Sequence, residues 1–135
     1  MNKEAYVSFE TAKLLKEKGF DWDCEHYYKP NGEIVRTFHT NGSRNINSSV
    51  LYENQCLAPT QQMACDWLRE EHKIHITTEP LEMFKQERIV YEPIIYLLND
   101  FDDFALEYKT VHLKECDTNE DAIEAALEFV LTKLI

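Results

Sequence analysis

Thiols and imidazoles are the side chains in this chain with the most versatile chemistry, and they fall into two loose groups: Cys24 with His26, and Cys65 with His72 and His75. Thiolate and imidazole are the usual ligands of zinc, so the spacing decides whether they could share an ion. Cys65 and His72 would share one face of a helix, but seven residues at 1.5 Å each put them about 10.5 Å apart along its axis, beyond coordination of one ion. Cys24 and His26 could share a strand face, yet no C-x-x-C pair accompanies them. Neither a metal nor another cofactor is therefore expected. A metal-binding or catalytic protein built on Cys65, His72 and His75 is retained as the competing reading.

Other catalytic patterns fare no better. A nucleophilic cysteine needs an electropositive setting, whereas Cys116 lies among Glu115, Asp117 and Glu120, which raise a thiol pKa. No G-x-S-x-G, P-loop or G-x-G-x-x-G is present, and three glycines (Gly19, Gly32, Gly42) cannot build a phosphate cradle. Asp100, Asp102 and Asp103 resemble the start of a calcium loop, but the turn glycine is missing and the closing position holds Val111. No catalytic residue is assigned.

Charge is more informative. Asp100, Asp102, Asp103, Glu107, Glu115, Asp117, Glu120, Asp121, Glu124 and Glu128 face two lysines, Lys109 and Lys114, so one stretch carries −8 of the formal −11. Such a surface repels phosphate backbones and attracts cations or basic protein patches. Asp100, Asp102, Asp103, Glu107, Glu120, Asp121, Glu124 and Glu128 are the candidate binding residues, with a basic patch on a partner protein as their target. Direct nucleic-acid binding is not expected.

A length of 135 residues with 44% hydrophobic content suits one domain with its own core. The amino terminus lacks an apolar signal core and no window reaches the length of a membrane span, so a soluble, cytoplasmic protein is expected, its four cysteines reduced. Ser8 as N-cap, the apolar Phe9, Ala12 and Leu15, and a stop at Gly19 predict a helix from about Phe9 to Lys18. Lys29-Pro30-Asn31-Gly32 between residues 23–28 and 33–39 predicts a β-hairpin. Thr40 to Leu57 reads as a long Asn/Ser-rich loop (about 40–58), with one short strand at Val50 to Tyr52.

After Pro59, the spacing of Met63, Ala64, Trp67 and Leu68 predicts a second helix ending near His72. Strands follow at Ile74 to Thr77, Ile89 to Leu98 and Phe104 to Leu113, with a turn at Asn99 to Asp103. Pro93 marks an edge or break. Thr118 with Asp121 approximates a capping box for a last helix whose apolar face runs from Ile123 through Leu127 and Val130 to Leu134. Phe129, Ala122 and Ala125 stand off that stripe, to be covered by the first helix or by a second copy in a homodimer; like-charge crowding of Glu124 and Glu128 across a two-fold axis favours the monomer.

The order from Pro59 onward, helix, three strands, helix, resembles that of double-stranded RNA-binding domains. That resemblance implies a nucleic-acid-associated protein, against which the acidic opening of the last helix argues. Two longer segments, Val7-Ser8-Phe9-Glu10-Thr11-Ala12-Lys13-Leu14-Leu15-Lys16-Glu17-Lys18-Gly19-Phe20 and Ala58-Pro59-Thr60-Gln61-Gln62-Met63-Ala64-Cys65-Asp66-Trp67-Leu68-Arg69-Glu70-Glu71-His72, together with the carboxyl-terminal helix, resemble small uncharacterised proteins of bacteriophages and prophages of gut bacteria. The resemblance implies a phage origin and no activity. The expectation is one α+β domain, a mainly antiparallel sheet with three helices, the second and third on one face, acting without catalysis by binding a protein.

Overall fold

Local signals account for the first helix and its ends. In the computed structural model, which describes residues 5–37, 46 and 51–135, α1 spans Phe9–Glu17, and the Ser8 hydroxyl accepts the Thr11 N–H at its start. Its end is a two-bond Schellman turn: Gly19, at φ +91°, donates to the Lys16 carbonyl and Phe20 to that of Leu15. Phe20 is thereby folded into the core.

The predicted hairpin pairs β1, His26–Tyr28, with β2, Ile34–Arg36, across Lys29-Pro30-Asn31-Gly32. Gly32 sits at φ +87°, and a Cβ there would lie 3.1 Å from the Phe9 ring, so the turn needs glycine for conformation and for space. Most of the predicted loop, and Val50 of its strand, lie outside the described residues. Leu51 and Tyr52 are not strand, whereas Cys56–Leu57, placed in the loop by the sequence, form β3 against Tyr27 and Tyr28. Ile46 bridges Cys24 through two backbone hydrogen bonds. The first sheet has the order β2-β1-β3.

Helix α2 covers Gln61–His72 with Thr60 as N-cap, its hydroxyl accepting the Met63 N–H. Lys73, at φ +57°, turns the chain straight into β4, Ile74–Met83. A short 3₁₀ turn at Phe84–Gln86 leads to β5, Arg88–Asp102, and β6, Glu107–His112, completes an antiparallel meander in the order β4-β5-β6. Strands β4 and β5 run beyond the predicted ends at Thr77 and Leu98, and the turn expected at Asn99 to Asp103 lies instead at residues 103–106.

Pro93 is inside the central strand, not at an edge. Its carbonyl accepts from Leu113, just past the end of β6, and its nitrogen points to the same side, where no ladder partner is needed. There the ladder carries an extra residue: Ile94 faces His112, whereas Tyr91, three back, faces Cys116, four on.

Helix α3, Asn119–Phe129, opens on the predicted cap, the Thr118 hydroxyl accepting the Asp121 N–H, and continues through a wider π-type turn at Val130–Leu134. Helices α2 and α3 pack on β4 and β5, as expected for an α+β fold. Ile74 and Ile76 turn into that interface with Ile95, against Trp67, Leu68, Ala126 and Leu127, while His75 and Thr77 alternate outward. One contiguous set of buried residues joins this layer to α1 and the first sheet. Helix α1 contacts α3 and the turn after it, and the Lys18 ammonium reaches the Ile135 carbonyl, so the first helix packs along α3.

Burial also fixes how the fold responds to alkali. Cys24 is 1% exposed, and burial, reinforced by the Asp23 carboxylate, pushes its thiol up to about 12. A pKa raised on folding stabilises fully below the unfolded value of roughly 8.5 and loses that stabilisation as pH rises towards 12. Cys24 should therefore cost about 1.4 kcal/mol of stability per pH unit above the ordinary thiol range. Urea midpoints at pH 8 and pH 10 test this: the parent should fall further than Cys24→Ala, and equal slopes would refute it.

Candidate functional site

Half of the predicted acidic residues converge on one hairpin. Strands β5 and β6 extend past the helices, with a register irregularity between Leu97 and Phe101 before pairing resumes as Phe101 with Tyr108 and Asp102 with Glu107. Directly opposed residues share a face, so Phe101 and Tyr108, with ring centroids 4.8 Å apart, make an aromatic face, and Asp102 and Glu107 an acidic one. Like charges placed opposite each other cost stability. The nearest compensating cation is Lys109, 3.9 Å from Asp100.

The tip is built by Asp102, whose carboxylate accepts the N–H groups of Phe104 and Ala105 and holds the turn closed. It presents Phe104, 100% exposed, and Leu106, 78% exposed, next to the exposed Phe101 and Tyr108. Leu106 has φ +58°, a left-handed conformation that costs a side chain bearing a Cβ roughly 1–2 kcal/mol. Glycine or asparagine would be the usual residue there. A leucine that is both strained and solvated contributes little to folding, and such sites concentrate where contact with something else is made. Leu106→Gly should raise stability by about 1 kcal/mol in urea unfolding; an unchanged or lower midpoint would show that the turn is not strained.

Of the predicted binding residues, Asp100, Asp102, Asp103 and Glu107 are all exposed on this hairpin. Those on α3 form a separate group. Cys116 bridges Tyr91 and Asp117 pairs with Arg88 at 2.6 Å, which sets the start of α3 ten residues back along β5 from Phe101, roughly 33 Å for an extended strand. Glu120, Asp121 and Glu128 are exposed there.

Glu124 is half-buried and its carboxylate is engaged within the fold. Its carboxylate accepts the Ser8 N–H at 3.0 Å, the Thr11 hydroxyl at 2.8 Å and the Gln61 amide at 3.4 Å, and that amide also donates to the Glu120 carbonyl. Thr11 and Gln61 are 2% and 5% exposed. The negative charge also sits at the amino-terminal end of α1, where the helix dipole favours it. Glu124 thus ties three helices together.

The residues of the competing reading are only partly brought together. Cys65 and His75 line a cleft of about 220 Å³ with Gln61, Arg69, Thr78 and Asn119, while the His72 ring packs edge-on to Trp67 at 4.9 Å. Burial, then Asp66, pushes the Cys65 thiol up to about 12, which leaves it protonated and a poor nucleophile at neutral pH. Cys116 is also raised, by burial and then by Asp121, Asp117 and Glu115, in the direction the sequence indicates. Among the described residues, no cluster of three or more His, Cys, Asp or Glu side chains is placed to hold a metal ion, and no helix is long and apolar enough to cross a membrane.

The sequence points to the hairpin's acids but hides its apolar tip, because Phe104 and Leu106 read as part of a strand. The available signal was the interleaving of Phe101, Phe104 and Leu106 with Asp100, Asp102, Asp103 and Glu107. Compared with family models, curated proteins and solved structures, the chain matches none.

Proposed function

We propose that this protein is a non-enzymatic, monomeric accessory of phage origin, acting in the host cytoplasm by binding a protein through the β5–β6 hairpin. The observation that carries this reading is the tip itself: Phe104 and Leu106 stand in solvent amid Asp100, Asp102, Asp103 and Glu107. An apolar anchor framed by like charge fits an apolar pocket rimmed by lysine and arginine, the anchor supplying affinity and the charge orientation and association rate. The phage origin and the cytoplasmic setting rest on the sequence resemblance alone. The monomeric state rests on the like-charge crowding that a two-fold axis along α3 would impose on Glu124 and Glu128.

The helix, three strands, helix order is present in α2-β4-β5-β6-α3. Glu120 and Asp121 in the first turn of α3 would repel a phosphate backbone, which keeps the RNA-binding reading second. Affinity capture from host lysate at low and raised salt tests the proposal. A protein captured at low ionic strength and released as salt rises is the expected result; no partner, or one insensitive to salt, counts against it.

A further inference from the structure

The cleft that holds Cys65 lies along an open edge of the second sheet. Four consecutive residues of β4, His75, Ile76, Thr77 and Thr78, line it, with Gln62 and Arg69 of α2 also in its walls. Side chains alternate between faces along a strand, so a cleft that meets every residue in turn lies against the backbone itself. Strand β4 ends the sheet and pairs only with β5. We propose that this edge takes up an extended peptide of a partner protein as a fourth strand, with a lysine or arginine of that peptide beside Glu79.

The direction of each backbone group follows from the ladder. The Lys73 carbonyl accepts the Leu98 N–H, and Pro93, which has no N–H to give, faces Thr78. Tyr91, opposite Pro80, commits both its N–H and its carbonyl to Cys116 on the far side. Residues 73, 75, 77 and 79 therefore point their backbone groups at β5, while Ile76 and Thr78 point theirs away from it. Among the described residues, no hydrogen bond meets the backbone groups of Ile76 and Thr78. Paired donors and acceptors repeating at every second residue, about 7 Å apart, match the backbone of another extended chain. Pro80 continues the outward row without an N–H and so ends it.

Charge selects the kind of peptide. Glu79 lies directly opposite Glu92, whose carboxylate is 2.6 Å from His112, and Glu79 has no ion pair of its own among the described residues. Like charges so placed cost stability, and a basic side chain on the added strand, on the face that carries Glu79, relieves them. On the other face the added strand meets Gln62 and Arg69, which suit polar side chains. The site stands apart from the β5–β6 hairpin, so it does not depend on the function proposed for that hairpin.

Random heptapeptides displayed on phage and selected against the parent chain are the probe. Enriched peptides should carry a lysine or arginine within a proline-free run of strand-forming residues. A synthetic copy should slow hydrogen exchange at the Ile76 and Thr78 amides about ten-fold or more. N-methylation of the peptide amides that face β4 should abolish binding, and methylation of the alternate amides should not. Thr78→Pro removes one outward N–H and keeps the ladder to β5, as Pro80 does two residues on, and should weaken binding about ten-fold. Glu79→Lys, which leaves the backbone alone, should weaken it about ten-fold or more. No enriched peptide, protection confined to other residues such as β6, insensitivity to N-methylation, or undiminished binding by Glu79→Lys would each overturn the proposal. So would a mass in light scattering twice that of the chain and halved by Thr78→Pro, which would give the edge to a second copy.

Discussion

Trp67→Ala should lower the free energy of unfolding by about 3–5 kcal/mol, the range for deleting a large aromatic side chain from a core. The indole is 3% exposed and packs within the contiguous core. Its ring meets Phe20 edge-on at 5.5 Å and His72 at 4.9 Å, so it ties α2 to the segment that the α1 Schellman turn folds inward. Truncation would leave a cavity bounded by two packed rings and the helix backbone, with little freedom to collapse. Urea unfolding followed by far-ultraviolet circular dichroism measures the effect. A loss under about 1 kcal/mol would mean that α2 does not pack as described.

Glu124→Ala should cost about 2–3 kcal/mol, while Glu120→Ala and Glu128→Ala, one helical turn away on either side, should stay within about 0.5 kcal/mol. The difference comes from what is left behind. Removing the carboxylate strips partners from the Ser8 N–H, the Thr11 hydroxyl and the Gln61 amide, two of them on almost fully buried side chains. Glu124→Gln keeps one acceptor oxygen and should recover part of the loss. A double-mutant cycle with Thr11→Val isolates the shared term. If the three glutamates behave alike, Glu124 is an ordinary surface charge and the three-helix tie is wrong.

Features whose cause is local were legible in the sequence. Ser8 and Thr118 act as caps, Gly19 and Phe20 close a Schellman turn, and Asn31-Gly32 makes a hairpin, because each depends on residues within a few positions of one another. The second sheet was harder to read for a reason visible at its turns. Lys73, Glu87 and Leu106 take left-handed conformations usually left to glycine or asparagine, so the punctuation that would have marked the ends of β4, β5 and β6 is missing. Pro93 misled because its nitrogen faces the point where β6 stops, a fact of sheet order and not of sequence. The candidate site divided in the same way. Acid content could be counted, but the inward turn of Glu124 depends on Ser8 and Gln61, more than sixty residues away.

The central claim is that the hairpin tip makes the contact, and Phe104→Ser tests it most directly. Phe104 is wholly exposed, so the substitution should leave stability within about 0.5 kcal/mol of the parent. Any change in binding then reports on the contact alone. Partner capture from host lysate at low salt, compared side by side for the parent and Phe104→Ser, should fall about ten-fold or more, since a buried aromatic anchor is typically worth 2 kcal/mol or above. A salt-sensitive partner captured undiminished by Phe104→Ser, and still by the Phe104→Ser, Leu106→Ser pair, would contradict the account and move the contact to the acids of α3.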